Sequence, residues 1–156
     1  MTSKLNKPDD VWQVALYILG RRSHSEYELR QKLYHKAYTS DQIDDVITRL
    51  LTYHYLNDEA LATALFTKLV QAGKYSLPMI ISKLKQRGLP DHMIKNVTTH
   101  YHLEDEWKSA LKIVNQRFKS LNEISTEKIY RFLASRGFSS TSINKIIKQL
   151  GHDEIE

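Results

Sequence analysis

Cysteine is absent from the 156 residues of the sequence. Its absence excludes a disulfide-stapled extracellular scaffold and any metal site built on thiolates. Long hydrophobic runs are also missing. The first ten residues lack the apolar segment of a secretory leader, and no later stretch approaches the roughly 20 apolar residues that span a bilayer. We therefore expect a soluble, cytoplasmic protein with no membrane contact.

Glycine and proline are scarce as well, with 5 and 3 residues. The sequence contains no glycine-rich loop that could cradle a phosphate and no Gly-x-Ser-x-Gly nucleophile motif. Asp41, Asp44 and Asp45 fall in the first turns of a predicted helix, where the helix dipole favours negative charge, so they need no catalytic explanation. We find no catalytic residues and predict that the protein is not an enzyme and uses no cofactor.

Seven histidines raise the question of a metal site. Only His100 and His102 form a close pair, at the predicted end of a helix. Because a stable site needs more ligands, and no pair of histidines at helical spacing with a glutamate is present, we predict no metal site.

Basic residues exceed acidic ones, with 23 Lys and Arg against 18 Asp and Glu, a net charge of +5 and a pI near 9.3. This excess favours a polyanionic partner, although basic side chains that only keep a helical surface soluble would give the same composition. The excess is greatest between Trp107 and Gln149, where only Glu123 and Glu127 are acidic. The basic residues of that segment are Lys108, Lys112, Arg117, Lys119, Lys128, Arg131, Arg136, Lys145 and Lys148.

One pattern occurs three times along the chain. Each copy opens with an apolar residue three positions before an Ala-Leu pair, and continues with a triplet of basic, small and apolar residues and then an Ile. The opening residues are Trp12, Leu61 and Trp107, the triplets are Lys36-Ala37-Tyr38, Arg87-Gly88-Leu89 and Arg136-Gly137-Phe138, and the isoleucines are Ile43, Ile94 and Ile143. Such regular recurrence is typical of a tandem repeat protein.

Helix caps and breakers divide each repeat into three helices. In the first repeat, Pro8-Asp9-Asp10 starts a helix that Gly20 ends, Ser25 to Glu28 forms a capping box, and Thr39-Ser40 caps a third helix. The apolar stripe of that third helix is Ile43, Val46, Ile47, Leu50 and Leu51. In the other repeats the helix starts are Asp58, Ser76, Pro90, Asp105, Ser125 and Ser139.

No stretch alternates with the period of a strand, so an all-α fold follows. We predict three tandem three-helix repeats, similar to helix-turn-helix units, in an elongated curved array. The predicted boundaries are 10–57, 58–104 and 105–151 for the repeats, with tails at 1–9 and 152–156.

The small residue of the triplet is expected to end the second helix in the left-handed conformation, which Gly88 and Gly137 adopt without strain. Ala37 takes that place in the first repeat, so the helix there must close differently or accept about 1 kcal/mol of strain.

Two groups of aromatic residues need an explanation. Trp12 and Trp107 precede apolar stripes at equivalent repeat positions and are predicted to be core residues. Four tyrosines fit core packing and base stacking about equally, and Tyr75, beside Lys74 in a predicted loop, is the best stacking candidate. These tyrosines are Tyr53, Tyr55, Tyr75 and Tyr101.

Four segments together resemble the RecX family of recombination regulators, and the last is similar to its enterobacterial branch. They are Ser25-Glu26-Tyr27-Glu28-Leu29-Arg30-Gln31-Lys32-Leu33; Tyr55-Leu56-Asn57-Asp58; Ile80 to Leu84 leading to Arg87-Gly88-Leu89; and Arg131-Phe132-Leu133-Ala134-Ser135-Arg136-Gly137-Phe138. The resemblance covers nearly the whole chain.

The resemblance implies a protein that binds RecA filaments on single-stranded DNA and inhibits strand exchange, ATP hydrolysis and co-protease activity, and so modulates homologous recombination, DNA repair and the SOS response. We expect a monomer. Family members often carry a basic, glycine-containing cluster before the second helix of repeat two. Here Val70 to Ser76 keeps only Lys74 of that charge, so we give more weight to repeat three.

Combining charge and resemblance, we select eleven residues as candidates for contact with RecA or DNA. They are Lys74, Tyr75, Lys83, Arg87, Arg117, Lys119, Lys128, Arg131, Arg136, Lys145 and Lys148. Two other functions remain open: a helix-turn-helix transcription factor that reads duplex DNA, and a protein scaffold whose basic charge is incidental.

Overall fold

The structure is a computed structural model that describes residues 10–99, 101–118 and 124–151. Within these ranges all regular structure is α-helical, which confirms the all-α prediction. The helices are α1 (Val11–Arg21), α2 (Glu26–His35), α3 (Ser40–Thr52), α4 (Asp58–Ala72), α5 (Leu77–Gln86), α6 (Asp91–Thr98), α7 (Leu103–Arg117), α8 (Thr126–Ala134) and α9 (Ser140–Gln149).

The chain divides into two compact units. The first comprises the described residues up to Leu61 together with the segment Arg87–Leu89, and the second comprises Ala62–Gln86 and the described residues from Pro90 onward. The boundaries of the three sequence repeats remain a prediction.

In the first unit, α1, α2 and α3 enclose one apolar core. The apolar residues of the three helices recur at helical spacing, so each helix presents one stripe inward. The buried residues are Ala15, Ile18, Leu29, Leu33, Tyr38, Ile43, Val46, Ile47, Leu50 and Leu56. Each large aliphatic side chain buried in this way contributes roughly 1.5–3 kcal/mol, so the core stabilises the three helices collectively.

The helix starts follow the predicted caps. Asp10 accepts a hydrogen bond from the Trp12 amide, and Ser25 and Glu28 form the predicted capping box. Thr39 caps α3 and forms a second box with Gln42. Each cap satisfies amide groups that the first turn of a helix leaves without a partner.

The sequence allowed two ways of ending α2 at Ala37, by a different backbone geometry or by a strained left-handed residue, and the structure shows the strained one. Ala37 lies in the left-handed region with φ of 63°, and the Tyr38 amide donates to the Leu33 carbonyl. Gly137 has φ of 79° and the same hydrogen bond follows it, from Phe138 to Leu133. The two ends therefore share one backbone geometry, and only the first places a Cβ atom in it.

In the second unit, α7, α8 and α9 enclose a core that corresponds to that of α1, α2 and α3. Its buried residues are Ala110, Ile113, Val114, Ile129, Leu133, Phe138, Ile143, Ile146 and Ile147. In α4, α5 and α6, the buried apolar residues that belong to this unit are Ala62, Ile80, Leu84 and Ile94.

Three sequence predictions about the helices were wrong in detail. Gly20 lies inside α1, which continues to Arg21 and ends where Arg22 becomes extended. Leu51 is 42% exposed, because the stripe of α3 faces inward only through its other four members. Helix α7 begins at Leu103, two residues before Asp105, and Asp105 accepts a hydrogen bond from the His102 amide.

Candidate nucleic-acid interface

Arg87, one of the candidate binding residues, forms a cluster of polar contacts within the first unit. Its Nε atom lies 2.6 Å from Glu28 Oε1, and its Nη2 atom donates to the Ser23 carbonyl at 2.8 Å. Arg22 donates to both carboxylate oxygens of the same Glu28, at 3.1 and 3.2 Å. One carboxylate therefore holds two guanidinium groups, and Arg87 is engaged by the fold.

Glu28 is a strong acid in this environment. Burial by itself raises the pKa of a carboxyl group, but hydrogen bonds from Arg22, Arg87 and the Ser25 amide outweigh burial and lower the pKa of Glu28 to about 2. The neighbouring Asp58 is affected in the opposite direction. Burial raises its pKa, and the Glu26 amide that donates to it at 2.9 Å offsets only part of the effect.

In each unit, a serine at the start of a second repeat helix forms a hydrogen bond with the main chain of an Arg-Gly-apolar triplet. In the first unit the Ser25 hydroxyl donates to the Arg87 carbonyl at 2.5 Å, and in the second the Ser76 hydroxyl donates to the Arg136 carbonyl at 2.8 Å. Both serines are fully buried. The main chain of the Arg-Gly-apolar triplet is thus a packing element, which gives the recurrence of the triplet a structural reason.

Three candidate cations in the second unit lie over aromatic rings. Lys83 Nζ is 4.5 Å from the centre of the Tyr75 ring, Lys145 Nζ is 4.8 Å from that of Trp107, and Arg136 Cζ is 4.6 Å from that of Phe132. Such cation–π contacts stabilise a charge without neutralising it. The structure thus brings together Tyr75 and Lys83, two candidates selected separately.

The remaining candidates differ in their surroundings. Arg131 forms an ion pair with Glu127 on α8, while Lys128 is exposed on the same helix. Arg117 Cζ lies 5.6 Å from the centre of the Phe118 ring. Lys74 and Lys148 are exposed, and Lys119 lies outside the described residues. Lys112, a basic residue outside the candidate set, donates instead to the Ala72 carbonyl at the end of α4.

Both tryptophans pack against the cores at their equivalent positions, which confirms the prediction, but each is only partly buried. Arg49 Cζ lies 4.2 Å above the Trp12 ring, and Tyr53 and Tyr55 contact that ring edge-on. Tyr53 and Tyr55 are themselves exposed. Tyr101 is partly buried, and burial raises its pKa to about 12.

A basic groove lies on the first unit, between α1 and α2, and was not predicted from the sequence. Its volume is about 770 Å³, and none of its lining residues is acidic. The lining residues are Tyr17, Ile18, Arg21, Arg22, His24, Lys32, His35 and Lys36. Because residues 10–57 hold no more basic side chains than residues 58–104 and fewer than residues 105–151, the charge counted along the sequence gave no signal of this groove. The spacing of Arg21, Lys32 and Lys36 on two adjacent predicted helices could have indicated it.

Among the described residues, no three His, Asp or Glu side chains converge on a position that could hold a metal ion. His100, one member of the pair considered above, lies outside them. Nor does any helix in the described part of the chain have the length and apolar character needed to cross a membrane.

Comparison with known proteins identifies the family. The sequence model described as "RecX, first three-helix domain" matches residues 12–50. The regulatory protein RecX of Syntrophotalea carbinolica is 32% identical over 139 residues, which cover 84% of this chain and 90% of that protein. The chain belongs to the RecX family. The resemblance to the RecX family is thereby confirmed, whereas the likeness to its enterobacterial branch stays a prediction. The relatives are named as regulatory proteins.

Other RecX proteins support the assignment over most of the chain. The regulatory protein RecX of Vibrio cholerae is 32% identical, and the match covers 91% of this chain and 94% of that protein. The crystal structure of RecX from Lactobacillus salivarius superposes with a TM-score of 0.79 at 21% identity, covering 92% of this chain and 97% of the other. At that identity the structural likeness establishes the RecX fold alone.

Proposed function

We propose that this protein binds RecA filaments assembled on single-stranded DNA and lowers their strand-exchange, ATPase and co-protease activities. It would act as a cytoplasmic monomer, by binding and not by catalysis, and would modulate recombination and the SOS response. The observation that carries the proposal is membership of the RecX family across most of the chain.

The basic residues of the second unit are consistent with a partner that carries phosphates. Lys128 and Arg131 lie three residues apart on α8 and therefore share a face. Arg136 and Lys145 keep their charge while resting on aromatic rings. Exposed cations of this kind bind a nucleic-acid backbone by releasing its counterions, which makes the binding sensitive to salt.

Arg87 has a different role in this proposal. Its guanidinium is engaged by Glu28 and by the Ser23 carbonyl, and its side chain is only 25% exposed. We therefore assign Arg87 to the stability of the first unit. Binding is assigned to the candidates that lie at the surface of the second unit, chiefly Lys128, Arg131, Arg136 and Lys145.

The proposal is tested by measuring binding of the protein to preassembled RecA filaments by co-sedimentation. The double variant Arg131→Glu/Arg136→Glu is expected to bind at least about tenfold more weakly. Each substitution replaces a cation that attracts the DNA phosphates with a carboxylate that repels them. Its helicity and Tm should stay near those of the wild type, since both side chains are exposed.

A matched control is Lys68→Glu/Lys95→Glu, which changes the net charge equally at two exposed positions outside the candidate set. The control should bind like the wild type. Equal weakening of both double variants would contradict the assignment to this surface. If the wild type ignores filaments but retains one duplex sequence against unrelated competitors, the transcription-factor alternative replaces the proposal. If it binds neither, the scaffold alternative does.

A further inference from the structure

The basic groove of the first unit has no explanation in the packing of that unit. It is an open depression between the last turns of α1 and the outer face of α2, and its volume of about 770 Å³ is within the range of sites that hold a small ligand or a short segment of chain. The core of the unit is complete without it, because the buried residues of α1, α2 and α3 form one cluster that includes only Ile18 of the groove lining.

The positive charge of the groove is mostly uncompensated. Of its four Lys and Arg side chains, Arg22 is paired with Glu28, whereas Arg21, Lys32 and Lys36 have no carboxylate partner in the described part of the chain. All three are exposed.

His24 also lines the groove, and its pKa is lowered, chiefly by burial. The positive charges of Arg22 and Lys32 also lower this pKa, whereas the hydrogen bond to the Arg22 carbonyl and the charge of Glu28 raise it. With three exposed cations and no acidic residue in its lining, the groove is a region of positive potential that an anion would enter favourably.

An aromatic ring lies in the lining of the groove. Tyr17 is 68% exposed, and the Arg21 guanidinium lies 6.0 Å from the centre of its ring. Tyr17 is absent from the core cluster, so packing does not account for it. A cationic groove with an exposed ring is the combination that single-stranded nucleic-acid sites use, because the cations follow the phosphates and the ring stacks on a base.

We propose that this groove binds single-stranded DNA directly, with Arg21, Lys32 and Lys36 on the backbone phosphates and Tyr17 stacked on one base. A single strand suits the groove better than a duplex, in which the bases stack on one another and leave the Tyr17 ring without a partner. An acidic peptide would engage the cations and leave the ring unused. This site extends the proposed function, and it rests on that function for the identity of the ligand as single-stranded DNA.

The experiment measures binding of the full chain, without RecA, to a fluorescein-labelled oligothymidylate by anisotropy over a series of salt concentrations. Lys32→Gln/Lys36→Gln removes two of the proposed phosphate contacts. Each contact with a single strand contributes roughly −0.7 to the slope of log K against log salt, so the slope should become shallower by about 1.4. At about 0.1 M salt the affinity should fall on the order of tenfold.

Two further pairs of variants separate the parts of the proposal. Lys68→Gln/Lys95→Gln removes the same charge from exposed positions on α4 and α6, and neither residue lines the groove, so the slope should stay unchanged and the affinity within about twofold. Tyr17→Ala should weaken binding at least about fivefold and Tyr17→Phe by less than about twofold, since only the first removes the ring. A helicity measurement confirms that each variant is folded.

If Lys68→Gln/Lys95→Gln lowered the affinity for DNA as much as Lys32→Gln/Lys36→Gln does, the assignment of DNA binding to the groove would be overturned. An unchanged affinity of Tyr17→Ala, or a duplex competitor as effective as a single strand, would overturn the single-strand assignment. Failure here is distinguishable from failure of the proposed function. If the wild type does not bind bare DNA but lowers RecA ATPase activity, the groove proposal falls alone. If the groove variants lose bare-DNA binding while the wild type leaves RecA unaffected, the proposed function falls alone.

Discussion

Arg87 Nε lies 2.6 Å from Glu28 Oε1, although the two residues are 59 positions apart in the sequence. The same arginine donates to the Ser23 carbonyl, and its own carbonyl accepts from the Ser25 hydroxyl. The side chain and main chain of one residue thus connect to the start of α2. These contacts are the reason why we assign Arg87, a basic residue selected for binding, to the stability of the first unit.

The Glu28 cluster predicts a pH-dependent stability. The pKa of Glu28 falls from 4.5 to about 2 on folding, so the folded state binds the proton more weakly than the unfolded chain. The stabilisation by Glu28 is complete at pH values above its pKa in the unfolded chain. It is lost as the pH falls through its pKa in the folded protein. Glu28→Gln should therefore lower the free energy of unfolding by about 2 kcal/mol at neutral pH. Thermal melts should show the two Tm values converging as the pH falls from about 5 toward about 3.

The control for this prediction is Glu127→Gln, which breaks the exposed Glu127–Arg131 pair. Exposed ion pairs contribute little, so the control should cost less than about 0.5 kcal/mol at neutral pH. A difference between the wild type and Glu28→Gln that stays constant across the pH range would contradict the role of the charge.

Replacing the serine at the start of the second repeat helix should destabilise the protein more at Ser76 than at Ser125. Ser76 is buried and its hydroxyl is bonded to the Arg136 carbonyl, whereas Ser125 at the corresponding position is exposed and makes no side-chain cap. Ser76→Ala leaves a carbonyl without its partner and should cost about 1–2 kcal/mol. Ser125→Ala should cost less than about 0.5 kcal/mol. Urea denaturation measures both, and equal losses would refute the packing role of the Ser76 hydroxyl.

The left-handed residues predict opposite effects of exchanging alanine and glycine. Ala37→Gly removes a Cβ atom from a φ of 63° and should raise the free energy of unfolding by about 1 kcal/mol. Gly137→Ala adds a Cβ atom that would lie 2.8 Å from Ser76 Oγ, so it should lower the free energy by at least about 1–2 kcal/mol. The same denaturation experiment applies. If Ala37→Gly destabilised the protein, the strain assigned to Ala37 would be wrong.

The fold was largely predictable because its signals are local. Capping residues such as Ser25, the apolar stripe of α3 and the small residue of each triplet act within one or two helical turns, and the structure confirms them except for Leu51 in the stripe. Gly20 is an exception, because a lone glycine is tolerated inside a helix and its φ here is not left-handed. The end of α1 depends instead on Arg22, whose extended backbone no local motif indicates.

The candidate site was less predictable because its members depend on distant partners. Nothing near Arg87 in the sequence indicates that Glu28 will engage it, and nothing near Lys145 indicates that it will rest on Trp107. The groove of the first unit was missed for the same reason, since it exists only once Arg21 at the end of α1 and Lys36, just after α2, line the same depression. The number of basic residues along the chain favoured the second unit as the binding surface. Their positions in the structure indicate a candidate binding surface on the first unit as well.

The measurement that tests the central claim most directly is the ATPase activity of RecA on single-stranded DNA as this protein is added, at fixed moderate salt. We expect the ATPase rate to fall progressively as the protein is added. Arg131→Glu/Arg136→Glu should require more protein for the same effect, and Lys68→Glu/Lys95→Glu should behave like the wild type. A RecA ATPase rate that stays unchanged over a wide titration would contradict the account.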